Sequence, residues 1–182
     1  MIIVSAPSGA GKTTLCQEVL LRLKEITKSI SSTTRSPRVG EKHGIDYFFV
    51  TESKFKKMIL DKRFSEWAKV HGHFYGTDKK FIEENMERGM DVLLSIDVQG
   101  GAQLKKQYPD AIMIFVHPPS LGELENRLQK RQLDSPQTIE KRLIEAQKEL
   151  KASSEYQYHI TNDDFSKALS ELTRLIESVR KK

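Results

Sequence analysis

Eight consecutive residues, Ala6-Pro7-Ser8-Gly9-Ala10-Gly11-Lys12-Thr13, carry the first chemical signal in the chain. With Ala6 standing where the leading glycine is usual, they fit the spacing of a phosphate-binding P-loop. The glycines let successive backbone N–H groups turn inward around phosphate oxygens, and a helix starting near Lys12 points its positive end at the same oxygens. Lys12 is placed to reach the β and γ phosphates of ATP, and Thr13 to offer its hydroxyl to Mg²⁺. Thr14 completes this set of ATP-binding candidates. Asp97 ends the apolar run Val92-Leu93-Leu94-Ser95-Ile96. A carboxylate at the carboxyl end of such a strand suits a metal-organising role beside a phosphate loop, and equally suits the cap of a following helix.

These residues need a scaffold. Ile2 to Val4 reads as a short strand entering the glycine turn, and Thr13 to Glu25 carries helical spacing through Leu15, Val19, Leu20 and Leu23. Val92 to Ile96 and Ala111 to Val116 read as buried strands of a parallel sheet, each followed by a helix, Gln99 to Lys106 and Ser120 to Arg131. A strand at Tyr158 to Thr161 precedes an amphipathic helix, Phe165 to Val179. Between Ser31 and Gly76 the pattern changes to short β-like pieces (Tyr47 to Val50, Glu66 to Val70, His73 to Tyr75) around one helix, Glu52 to Leu60. Another helix, Asp78 to Arg88, follows. A second insertion, Leu121 to Ala152, is helical and charged, broken at Asp134-Ser135-Pro136, where Ser135 caps the helix that Pro136 begins. The expectation is an α/β fold: a P-loop core with a parallel sheet and helices on both faces. Residues 1–30, 81–120 and 153–182 form that core, 31–80 a small α/β insertion, and 121–152 a helical lid.

Composition narrows the class. The 182 residues suffice for one buried core, and 37% hydrophobic with 30% charged residues marks a globular chain. No stretch reaches the ~20 apolar residues that span a bilayer, and no basic segment precedes the first strand, so neither a membrane nor an export signal is expected. Cys16, the one cysteine, has no intramolecular disulfide partner; it reads as core packing in a reducing cytoplasm. The net charge of +5 is dispersed, without a basic run or aromatic-interleaved motif, so a mononucleotide phosphate explains the arginines at least as well as a nucleic acid. The five histidines show no recognisable metal-ligand spacing.

Outside the loop, a series of motifs occurs in order: Ser31-Ser32-Thr33-Thr34-Arg35-Ser36-Pro37-Arg38, Gly44-Ile45-Asp46-Tyr47-Phe48-Phe49, Glu66-Trp67-Ala68, Tyr75-Gly76-Thr77, Ile96-Asp97-Val98-Gln99-Gly100, an arginine-rich segment, and Thr161-Asn162-Asp163-Asp164. Over essentially the whole chain this resembles the guanylate kinase family. The resemblance implies transfer of the γ-phosphoryl group of ATP to GMP, with Mg²⁺ accompanying ATP. Side-chain chemistry agrees with it. Arg35 and Arg38 suit a dianionic phosphate, with hydroxyls from Tyr47 and Tyr75. Glu66 accepts from guanine N1–H and N2–H₂, while Ser31 and Thr77 donate to O6. Adenine inverts that edge.

By resemblance, Arg131 and Arg142 of the lid clamp the triphosphate, Arg38 bridges acceptor and transferring phosphoryl, and Asn162 lies near the adenine. Lys12, Arg38, Arg131 and Arg142 are thus the catalytic candidates, and no general base is required. Two departures from the family pattern are visible: Ser95 where an acid is common, and Gln132 where a glycine is. Another small-molecule kinase on the same loop, or a peptide-binding scaffold of this fold, are the alternatives. Neither a nucleic acid nor an obligatory protein partner is indicated.

Overall fold

The computed structural model describes residues 1–130 and 135–180. Its main sheet is wholly parallel, with strand order β2-β7-β1-β8-β9. The strands are β1 (Ile2–Ser5), β2 (Ile26–Lys28), β7 (Asp91–Ser95), β8 (Ile112–His117) and β9 (Tyr158–Thr161). β1 lies between β7 and β8, with Val4 opposite both Ser95 and Ile114. The three central strands read as unbroken apolar runs because both faces are covered. On one face Ile2, Val4, Leu93, Ile114 and Ile160 pack with Leu15 and Val19 of helix α1 (Lys12–Arg22) and Leu169, Leu172 and Ile176 of α7 (Phe165–Arg180). On the other, Ile3, Leu94, Met113 and Phe115 pack with Ile82 of α3 (Lys79–Glu87) and Leu104 of α4 (Val98–Gln107).

Most expected elements recur with ends shifted by a residue or two, and the strand expected at His73 to Tyr75 runs on to Asp78, where it pairs with Phe64. Helix α1 also differs, stopping at Arg22 rather than Glu25: Leu23 turns extended, and Glu25 takes a positive φ of 58°. The helical spacing overran because Leu23 is itself buried. That turn frees Ile26–Lys28 to pair with β7 as an edge strand, which periodicity did not reveal.

A second sheet, order β4-β3-β6-β5, is built entirely within residues 32–78 from β3 (Ser32–Thr33), β4 (Phe48–Phe49), β5 (Phe64–Val70) and β6 (His73–Asp78), with α2 (Glu52–Leu60) packed on it through Phe55. Two-residue strands such as β3 leave no periodic trace. The remaining helices are α5 (Leu121–Lys130) and α6 (Pro136–Lys151), joined through Leu124, Leu128, Ile139 and Ala146. Ser135 caps α6 as expected, its hydroxyl accepting from the Thr138 N–H at 3.3 Å. Arg131, Gln132 and Asp134 lie outside the described residues. Among the described residues no helix is long and apolar enough to cross a membrane.

Candidate active site

A cleft of about 200 Å³ opens at the carboxyl ends of β1 and β7, between the two sheets and α6. This is where an open parallel sheet presents its ligand crevice. Because β1 and β7 are neighbours, the glycine loop leaving Ser5 and the Ile96-Asp97 turn leaving Ser95 face one another across it.

The glycine loop is shaped by its own sequence and by what packs behind it. Gly9 and Gly11 hold φ of 101° and 90°, which L side chains rarely adopt. Leu124 and Leu128 of α5 press against Gly9: a Cβ there would stand 2.9 Å from Leu124 Cδ1. A Cβ on Gly11 would collide with Asn162 Nδ2, and that same nitrogen donates to the Ala10 carbonyl at 2.8 Å. Gly11 also caps α1 without a side chain, leaving the first N–H groups of the helix for an incoming anion.

Lys12 turns into the cleft floor, and its Nζ donates to the Ile96 carbonyl at 2.5 Å. Burial lowers its pKa, and Cys16, Asp97, Glu149 and Glu66 work in the opposite direction by stabilising the charge. Asp97 does cap α4: its Oδ1 accepts from Gly100 N–H at 3.2 Å and its Oδ2 from Gln99 N–H at 3.3 Å. It also lines the cleft, opposite Thr13.

Glu66 on β5 is 3% exposed. Thr77 Oγ1 donates to its Oε1 at 2.5 Å, and Ser31 Oγ stands 3.5 Å from Thr77 Oγ1. Burial pushes the Glu66 carboxyl up to about 7, and Asp97 adds to the rise; the Thr77 hydroxyl and Lys12 pull the other way. Three residues of α4 locate it. Gln103 takes the Trp67 N–H and donates to the Trp67 carbonyl, Gln107 donates to the Ser65 carbonyl, and Gly100 lies under the carboxylate itself. The α4 glutamines thereby mimic a neighbouring strand along β5 on either side of Glu66.

Arg35 is caged. Its guanidinium donates to Glu41 Oε1 at 2.8 Å and to Tyr75 Oη at 3.3 Å, and lies over the Tyr47 ring at 5.5 Å. Burial opposes its charge, but Glu41 and Tyr75 outweigh it and hold its pKa above the usual value. Glu41 also accepts the Arg38 backbone N–H at 2.7 Å, so one carboxylate sets the whole arginine turn, with the Arg38 side chain exposed at the cleft mouth.

The cleft is therefore lined by Ala6, Pro7, Ser8, Gly9, Gly11, Lys12, Thr13 and Thr14 on one side and by Ser31, Arg35, Arg38, Tyr47, Glu66 and Tyr75 on the other, with Asp97 and Arg142 between. Three expected site residues stand behind this wall instead. Ala10 is buried under the loop, Thr77 reaches the cleft through Glu66, and Asn162, 5% exposed, braces the loop from below. Arg131 falls outside the described residues. Arg127, on α5, is engaged elsewhere, donating to Glu123 at 3.0 Å and to the Asn162 carbonyl at 3.1 Å.

Sequence reasoning missed three further residues of the site. Glu149 lines the cleft from α6, Glu41 cages Arg35, and Gly100 makes room for Glu66. Spacing on α6 offered the one available signal: Arg142 and Glu149 are seven residues apart and share a face.

Comparison with known proteins places this geometry. The family model described as guanylate kinase matches residues 1–179. The chain is 46% identical over 176 residues to a guanylate kinase of Caldanaerobacter subterraneus subsp. tengcongensis, covering 97% of this chain and 85% of that one. It is 47% identical over 176 residues to a guanylate kinase of Geobacter sulfurreducens, covering 97% and 87%. The crystal structure of guanylate kinase from Anaplasma phagocytophilum superposes with a TM-score of 0.85 at 31% identity, covering 100% of this chain and 86% of that one. A shikimate kinase from Bacteroides thetaiotaomicron, at TM-score 0.52 and 16% identity, shares the fold alone.

Proposed function

This chain belongs to the guanylate kinase family and is an ATP-dependent nucleoside monophosphate kinase acting on GMP, and from that premise we propose how its residues divide the work. MgATP enters along the glycine loop, with Lys12 on the β and γ phosphates and Thr13 and Asp97 available to the metal. The donor set fits a hard cation, since hydroxyl, carboxylate and phosphate oxygens are its preferred ligands. GMP enters from the small sheet, its phosphate on Arg35, Arg38, Tyr47 and Tyr75, its guanine edge on Glu66 and Ser31, with Thr77 fixing the Glu66 carboxylate.

A GMP phosphate oxygen then attacks the γ-phosphorus in line and ADP leaves. Charge spreads over the transferring oxygens, so rate comes from position and placed cations: Lys12, Arg38, Arg142 and, by family resemblance, Arg131. The small sheet (31–80) and the helical lid (121–152) move as units against the core and exclude water on closing. The setting is the cytoplasm. Cys16 takes no part: it is buried in the core, and burial pushes its thiol up to about 11.

The observation that carries this assignment is that one cleft is lined both by Lys12 of a glycine loop and by Ser31 and the buried Glu66, which Thr77 joins from behind the wall. A purified-protein screen of GMP, AMP, CMP and UMP with MgATP, read as ADP released, tests it. GMP is the expected acceptor, and preference for another nucleotide would overturn the guanine assignment.

A further inference from the structure

Helix α6 and the small sheet meet at a hairpin. β5 and β6 are joined by His71 and Gly72 alone, since Val70 pairs with His73. Both loop residues hold positive φ, 49° and 85°, so the connection is a two-residue turn of the kind that prefers Asn-Gly. Histidine suits that backbone less well than glycine, and the turn itself does not call for an imidazole. The His71 Nδ1 meets the Glu145 carboxylate of α6, and His71 also lines the cleft. Glu145 is fixed to the lid, because its neighbour Ala146 packs with Leu124, Leu128 and Ile139. Arg142, three residues earlier and so on the same side of the helix, lines the cleft too. The pair therefore joins the unit assigned to GMP with the helix that carries a cation assigned to the phosphates.

We propose that His71 and Glu145 are positioning residues for phosphoryl transfer: their contact holds the small sheet against α6, so that GMP seated on the one draws Arg142 on the other over the phosphates of ATP. The inference rests on the kinase reading above, in which the two units move against each other. A contact that spans them persists only while they are together, and it adds its free energy to the closed arrangement alone. With 26% and 46% of the two side chains exposed, it is worth about twofold to fivefold in that equilibrium. That suffices for coupling. GMP and ATP each favour closure, so a bias on closure changes the affinity for one when the other is bound. Neither side chain has to touch a substrate.

The test is calorimetry with the magnesium complex of a non-hydrolysable ATP analogue, with and without saturating GMP. It compares the wild-type protein with His71→Gly, Glu145→Ala and the double variant. Glycine suits the backbone at position 71, so His71→Gly removes the imidazole and keeps the turn, and thermal stability should stay level. In the wild-type protein GMP should tighten analogue binding by about fivefold or more. Each single variant should lower that tightening by about twofold to fivefold, with less effect on the analogue alone, and the double variant should lose no more than either. His71→Asn tolerates the same φ and sets an amide N–H near the place of the imidazole N–H, so it should recover part of the coupling. Wild-type coupling in His71→Gly, equal losses in the Gly and Asn variants, or multiplying losses in the double variant would each overturn the proposal. So would a wild-type affinity for the analogue that GMP leaves unchanged, a result that needs no variant to fold. If the wild-type protein fails to phosphorylate GMP, the kinase reading falls; an active wild-type protein without coupling sinks the His71–Glu145 proposal alone.

Discussion

Gly100 lies directly beneath the carboxylate of Glu66: a Cβ built on Gly100 would stand 2.5 Å from Glu66 Oε2 and 3.0 Å from its Cδ. The group proposed to read the guanine edge is thus seated on a bare Cα in the first turn of α4, and the absence of one methyl group defines its floor.

Gly100→Ala tests that seat. The position has no positive φ, so alanine strains no backbone and improves helix propensity by about 1 kcal/mol. The added methyl must move Glu66 instead. The expected outcome is unchanged or higher thermal stability with kcat/KM for GMP reduced by about tenfold or more, the scale of a misplaced buried polar contact. The KM for ATP should stay level. Steady-state kinetics with each substrate varied decides it, and a matching loss for ATP would assign Gly100 to the fold rather than the guanine pocket.

Glu66→Gln should do two separable things. It keeps one acceptor oxygen but sets an NH₂ against guanine's donors, so GMP turnover should lose about 2 kcal/mol while any AMP turnover does not fall in parallel. Stability should move the other way. The folded carboxyl titrates at about 7 against 4.5 ordinarily. Its folded pKa is raised, so the stability it contributes is present at low pH and lost as pH climbs through 7. Relative to wild type, the Gln protein should gain about 1–3 kcal/mol between about pH 5 and pH 8. Urea unfolding at the two pH values measures this; a flat difference would mean that Glu66 is ionised throughout.

Asn162→Ala removes the donor that holds the Ala10 carbonyl from below. A buried acceptor left unsatisfied costs about 1–3 kcal/mol. The loop it shapes should bind MgATP less tightly while GMP affinity holds. Chemical denaturation and a comparison of the two KM values check both parts, and a KM for ATP that does not change would confine Asn162 to stability.

Arg142→Ala and Arg131→Ala should each lower kcat far more than they raise the KM for ATP. A cation delivered on closure stabilises charge that develops in the transition state, and arginines so placed are worth roughly 10³–10⁵ in rate. Lysine should rescue poorly, because a point charge does not fork across two phosphate oxygens. If KM for ATP rises while kcat stays level, both are ordinary ATP-binding cations.

Much of what depends on neighbouring residues was legible in this protein's sequence. The glycine loop from Ala6 to Thr13 is contiguous, and its φ requirements and helix start follow from residue type. The Ser135-Pro136 start of α6 is likewise local, as are the apolar runs that became β1, β7 and β8. What tertiary structure alone decided are meetings between residues far apart in the chain: Gly100 under Glu66, Asn162 under Ala10, Gln103 along Trp67, and Glu149 in the cleft that Lys12 lines. None leaves a periodic trace. A glycine inside a helix, or a glutamate on a charged helix face, is an ordinary solvated residue until sheet order and helix packing bring another element against it. Strand order set β1 beside β7, and α4 gripped β5 through two glutamine side chains, so the local motifs became one cleft only when burial of the two faces of the main sheet fixed how those elements lie.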